Sequence, residues 1–149
     1  MRLINRDTDY AIRAICFFAQ AKEKIISVSI LVNALKIPRP FLRKILQRLN
    51  KKSILKSYKG NGGGFSLITP ANKIFLVDLI KIFQGEFQFN SCLFKKGICP
   101  DVRVCLLKQK LEQIEKHVVS ELESINIKSL INQEVKNGER EKRTVKAGA

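Results

Sequence analysis

The sequence predicts a mainly α-helical chain that carries one small β-hairpin and ends in a long helix. Three observations predict it. Apolar residues recur every three or four positions in five separate stretches, which is the helical period. One glycine-rich segment, Gly60-Asn61-Gly62-Gly63-Gly64, separates two short strand-like runs. A long apolar stripe then runs through Leu107, Leu111, Ile114, Val118, Leu122 and Ile125 after the compact part of the chain. With 149 residues and 45% hydrophobic content, the chain can bury one core of ordinary domain size. That apolar fraction also excludes a wholly disordered basic tail.

The elements follow in order. The opening helix turns Ala11, Ile12, Ala14, Ile15, Phe17 and Phe18 inward, with Asp7, Thr8 or Asp9 expected as its N-cap. Ser27 or Ser29 is expected to cap a short helix through Leu35, with Leu31, Val32 and Leu35 inward. Lys36-Ile37-Pro38-Arg39-Pro40 breaks it, because a residue before proline is pushed out of the helical region. Pro40 then suits the first turn of a new helix over 40–50, where its missing N–H costs nothing. Leu42, Ile45, Leu46 and Leu49 form the inner stripe of that helix, and Arg43, Lys44 and Gln47 project from the other side. Two short helices with a tight turn, the second presenting Arg, Lys and Gln, make a helix-turn-helix pattern.

The runs 54–59 and 65–69 are expected to pair as a basic hairpin. Its tip is not a phosphate loop. The Walker form requires Gly-Lys-Ser/Thr where Phe65-Ser66 stands, and the dinucleotide form requires a helix where a strand begins. A basic hairpin directly after a helix-turn-helix reads as a wing, with Lys56, Tyr58 and Lys59 within reach of phosphates or a minor groove. Val77, Leu79, Ile80 and Phe83 mark a further short helix ended by Gly85. A loop is expected to Pro100, and the long helix from about 101 to 125. Its stripe is expected to pack on a second copy of the chain, as a homodimer.

Charge is unevenly placed. The formal net charge is +15, and eleven basic residues lie between Lys24 and Lys73 with no Asp or Glu from Lys24 to Val77. So one-sided a field attracts a polyanion, and counter-ion release from nucleic acid would supply affinity. A solvated basic face kept for solubility is the plainer alternative. The second basic run, ending at Lys146, lacks apolar periodicity and reads as a disordered tail. No apolar stretch is long enough for a membrane span, and the charged opening lacks a signal-peptide block. A cytoplasmic location with reduced cysteines is therefore the expectation. The single histidine and scattered carboxylates form no acid–base pair or nucleophile site, so an enzyme is not expected.

Cys92, Cys99 and Cys105 are spaced Cys-x6-Cys-x5-Cys, too wide for the Cys-x-x-Cys knuckle of typical zinc sites. Three thiolates on a loop and a helix start could wrap an iron–sulfur cluster, or could be three reduced cysteines with no ligand. Cys105 is expected in the first turns of the long helix, where the dipole favours a negative thiolate. Cys16 reads as a small core residue. His117 lies about 18 Å along the helix from Cys105 and cannot share a site with it. A fourth ligand would be a carboxylate, a water, a small thiol or a group from a partner chain.

The chain resembles the bacterial winged-helix regulators that include the iron–sulfur cluster regulator (IscR-like) and the nitric-oxide-sensitive repressor (NsrR-like). The resemblance covers about 1–130. It rests on Met1-Arg2-Leu3, Asp9-Tyr10-Ala11-Ile12-Arg13, Ile37 to Leu46, Ser57 to Phe65, and the cysteine triplet. It implies a dimeric DNA-binding repressor whose cluster controls binding to a palindromic operator, sensing nitric oxide, redox or iron status. Cys92, Cys99 and Cys105 match the three cluster ligands. The iron–sulfur regulator type takes a histidine three residues after the last cysteine, where this chain has Lys108. The nitric-oxide sensor type takes an aspartate from the partner's opening helix, and Asp9 stands at the matching position. A four-iron cluster (4Fe-4S) held by three Cys and Asp9 in trans is thus implied ahead of a two-iron one (2Fe-2S), while Asp9 also has a plain competing role as a helix cap. The implied DNA surface is Ser29, Arg39, Arg43, Lys44 and Gln47 with Tyr58, Lys59, Asn61 and Gly62 of the wing. The expected organisation is a winged helix-turn-helix domain over 1–85, a cluster-binding loop over 86–105, a dimerisation helix region over 106–133 and a basic tail over 134–149. The rival readings are a cluster-free regulator answering to a small molecule or partner protein, and an electron-transfer iron–sulfur protein.

Overall fold

The computed structural model describes residues 3–87 and 104–133. Four helices and a two-stranded hairpin are followed by a long helix: α1 (Arg6–Gln20), α2 (Val28–Leu35), α3 (Arg39–Lys51), β1 (Leu55–Tyr58), β2 (Gly64–Leu67), α4 (Leu76–Gln84) and α5 (Leu106–Ser124). A short 3₁₀ turn, Ala71–Lys73, precedes α4, and residues 127–133 are again helical. The mainly α architecture with one hairpin is the predicted fold class.

Helix α1 lies at the centre, with Ala11, Ala14 and Ile15 fully buried among Leu31, Leu42, Ile45, Leu46, Leu49 and Leu79. Its N-cap differs from expectation. Asn5, not Asp7, Thr8 or Asp9, takes the cap: its Oδ1 accepts the Thr8 N–H at 2.8 Å. Four candidate caps stand within five residues, and the one that completes the bond three residues on begins the helix. Asp9 is thereby a first-turn residue, where a carboxylate meets the positive end of the helix dipole.

Ser27 caps α2 through its Oγ, 3.3 Å from the Ile30 nitrogen. The turn to α3 passes through Lys36 in the left-handed region, at φ 56° and ψ 31°, before Pro38 and Pro40 launch α3. All four predicted apolar positions of α3 are buried. β1 and β2 pair antiparallel, Leu55 opposite Leu67 and Tyr58 opposite Gly64. The hairpin root is also tied to the α1–α2 linker. Ile26 and Phe65 exchange both backbone hydrogen bonds at 2.9 Å, a bridge no periodicity announces. Gly64 makes this approach possible, since a Cβ there would sit 2.2 Å from the Ile26 carbonyl oxygen.

Helix α5 begins one residue after Cys105, which is its N-cap and not part of its first turns as expected. Its C-terminal end folds back on its own chain: Leu122 joins Leu76, Val77 and Ile80 in a second apolar cluster. Leu76 donates to the Ile125 carbonyl at 2.9 Å, and Ile127 donates to the Ile74 carbonyl at 3.0 Å. Ile127 is fully buried in the main core. The N-terminal half of the stripe is more open by contrast, with Leu107 68% and Ile114 52% exposed and Leu111 half-buried.

Candidate nucleic-acid interface

Helix α3 and the hairpin form the two walls of one cleft. Arg39, Arg43, Gln47 and Asn50 line it from α3, and Tyr58, Lys59 and Gly60 from the hairpin. These positions fall on one side of α3 because 39, 43, 47 and 50 are spaced by three or four. Lys44 lies exposed on the same helix, and Asn61 and Gly62 are exposed at the wing tip. Ser29, exposed near the start of α2, accepts a 2.6 Å hydrogen bond from Arg39 Nη2 and so orients that guanidinium. All nine residues named from the sequence therefore lie on α2, on α3 or on the wing.

Two parts of this surface went unseen in the sequence. Asn50 Oδ1 accepts the Ser57 N–H at 3.1 Å, which latches the end of α3 to β1. Lys56 lies 5.5 Å from the centre of the Tyr58 ring, a cation–π pair on the hairpin. Among the described residues no carboxylate pairs with a cation of α3 or the wing; the ion pairs Arg13–Asp9 and Lys108–Glu112 lie elsewhere. Arg48, at the far side of α3, instead covers the Phe83 ring at 5.4 Å.

The comparisons with known proteins agree with this geometry. A family model described as "Iron-dependent Transcriptional regulator" and named Rrf2 matches residues 4–133. The chain belongs to the Rrf2 family. It is 32% identical over 130 residues to an Aquifex aeolicus protein named as an HTH-type transcriptional regulator, covering 86% of this chain and 90% of that one. It is 26% identical over 134 residues to the transcriptional regulator NsrR of Oceanobacillus iheyensis, covering 88% and 90%. Its fold is similar to that of T. potens IscR, with a TM-score of 0.68 at 20% identity over 89% of this chain and 88% of that one. It is similar also to CymR of B. subtilis, with a TM-score of 0.71 at 18% identity over 89% and 98%. This Rrf2 protein is a DNA-binding transcriptional regulator and not an enzyme. Among the described residues no helix is long and apolar enough to cross a membrane.

The predicted metal ligands of this Rrf2 chain are only partly in view. Cys92 and Cys99 lie outside the described residues, as does the basic tail. Cys105 is half-buried, and its Sγ accepts the Lys108 N–H at 3.5 Å. Asp9 is half-exposed and forms a 3.0 Å ion pair with Arg13 one turn along α1. Lys108 pairs with Glu112 at 3.6 Å, and its ammonium, having no lone pair, is no metal ligand. His117 is exposed on α5. Among the described residues no three His, Cys, Asp or Glu side chains gather as a metal site.

Proposed function

We propose that this Rrf2 protein is a homodimeric repressor whose affinity for a palindromic operator is controlled by an iron–sulfur cluster. Cys92, Cys99 and Cys105 would hold the cluster within one chain, and Asp9 of the partner subunit would complete it. The donor set carries this reading. Three thiols lie within fourteen residues, and the last caps a helix whose N–H groups favour a thiolate. Asn5 has taken over the capping of α1, which leaves the Asp9 carboxylate at the surface with only an exposed ion pair to give up. The family description as iron-dependent supports the same reading.

When bound, the cluster supplies a centre that nitric oxide, oxidants or iron loss can dismantle. The rest is work for the chain. Arg39, Arg43, Lys44 and Gln47 enter the major groove, where an arginine reads guanine through two hydrogen bonds. Ser29 holds Arg39 in place for that contact. Tyr58, Lys59, Asn61 and Gly62 follow the backbone or the minor groove. The more open half of α5, Leu107 to Ile114, packs against the same surface of a second copy, which puts the dimerising contacts in the N-terminal part of the 106–133 region, beyond the 1–85 reading domain and the 86–105 loop. A switch from 99:1 to 1:99 requires about 5.5 kcal/mol between states, a scale that one ligand bond crossing the dimer and an ordered loop can supply.

Native mass spectrometry of anaerobically purified protein tests the proposal. A dimer heavier by one four-iron cluster per chain is expected, and Asp9→Ala should destabilise it. A two-iron mass would remove the basis for Asp9 as a ligand. A dimer still bare after reconstitution with ferrous iron and sulfide would overturn cluster control and leave a cluster-free regulator.

A further inference from the structure

Gln84 is the last residue of α4, directly ahead of Gly85, where the chain leaves the helix at φ 86°. Its side chain reaches back to the other end of the sequence. Its Oε1 accepts two hydrogen bonds, from the Asn5 N–H and from the Thr8 hydroxyl, both at 2.8 Å. Its Nε2 donates to the Leu3 carbonyl at 3.3 Å. One amide thus grips three consecutive features of the entry to α1: the approach at Leu3, the cap at Asn5 and the first turn at Thr8.

The grip is locked from both sides. Thr8 is fully buried, and its N–H is held by the same Asn5 that Gln84 binds. Asp9 comes next in sequence, and its N–H donates to the Asn5 carbonyl at 3.0 Å. The placement of Asp9 therefore depends on Asn5 and Thr8, and both depend on Gln84. On its other side Gln84 stands eight positions ahead of Cys92 in the chain.

We propose that Gln84 is a positioning residue for Asp9, tying the segment that leads into the cysteine triplet to the helix end that carries the fourth ligand. This rests on the reading of Asp9 as that ligand. Only an amide makes all three bonds, because it accepts at one end and donates at the other. A glutamate in its place keeps both acceptor bonds and gives up the bond to Leu3. A leucine keeps none.

The test compares Gln84→Leu, Gln84→Glu, Asp9→Ala and the double variant Asp9→Ala/Gln84→Leu. In the cluster-free protein, Gln84→Leu should raise amide hydrogen exchange over residues 3–9 about tenfold while the middle of α3 stays protected. After anaerobic reconstitution with ferrous iron and sulfide, loss of the cluster to a chelator is followed by its visible absorption. Gln84→Leu should speed that loss about as much as Asp9→Ala does, and the double variant should lose it no faster than Asp9→Ala alone. Gln84→Glu should restore most of the wild-type rate. Additive effects in the double variant, or unchanged exchange in Gln84→Leu, would overturn the proposal while Asp9 keeps its role. Asp9→Ala with a wild-type rate of loss, or a wild-type chain that takes up no cluster, would overturn the ligand reading and this proposal with it.

Discussion

Replacing Gly64 with alanine should disconnect the wing from the body of the domain. The added Cβ would lie 2.2 Å from the Ile26 carbonyl oxygen, 2.6 Å from its carbon and 2.9 Å from the Ser27 nitrogen. All three are backbone atoms, so no rotamer change relieves the clash. Separation to ordinary contact requires a shift of about 1 Å, which breaks the two 2.9 Å hydrogen bonds between Ile26 and Phe65. Two backbone bonds at about 1 kcal/mol each, with overpacking strain of about 1–3 kcal/mol, give a loss of about 3–5 kcal/mol. Urea unfolding followed by circular dichroism reads this as a midpoint lowered by about 2 M, for an m-value of about 2 kcal/mol/M. Gly62→Ala is the control. It has open space around it and a φ of +73°, so it should cost only about 1–2 kcal/mol of backbone strain. Equal losses in the two variants would show that the tight approach of Gly64 to Ile26 does not hold the hairpin root, and the steric reasoning would fail.

Three further outcomes are expected. In a gel-shift series on a duplex selected from random sequence, Arg43→Ala should cost about 1–3 kcal/mol and relax preference at one base pair. Lys59→Ala should instead weaken binding evenly across sequences and lower the salt slope by about 0.9, and the opposite assignment would exchange the roles of helix and wing. Leu107→Glu with Ile114→Glu should yield a folded monomer by sedimentation, because both side chains are exposed in the isolated chain. A dimer that survives this pair would place the interface elsewhere.

The helix-turn-helix was legible because α3 keeps its apolar stripe in strict helical register and its cations on the opposite arc. The wing was legible because five residues of turn chemistry stand between two short runs. What stayed hidden shares one cause: contacts between single residues far apart in sequence have no period. Ile26 pairs with Phe65 as one isolated bridge, and Gln84 finds Asn5 and Thr8 across 79 and 76 positions. The cap of α1 was misread since Asn5, Asp7, Thr8 and Asp9 are all competent, and only the backbone decides which hydrogen bond closes. The α5 stripe announced an apolar face but not which body covers it. Its lower third covers α4 of the same chain, and its upper part does not.

The anchoring of α5 has a mechanical consequence. With its C-terminal end held by the Phe75–Asn126 bridge and by buried Ile127, the helix is a rod anchored to the body of the domain. In the proposed dimer, the point along this rod where the partner crosses sets how far each head stands from the two-fold axis. Moving the crossing by one turn carries each head about 5.4 Å along the rod. Inserting or removing seven residues keeps nearly the same face toward the partner, whereas a single residue rotates it by about 100°. In that dimer, helix length would act as a gauge for half-site spacing, one that heptad steps could reset without altering any residue proposed to touch a base.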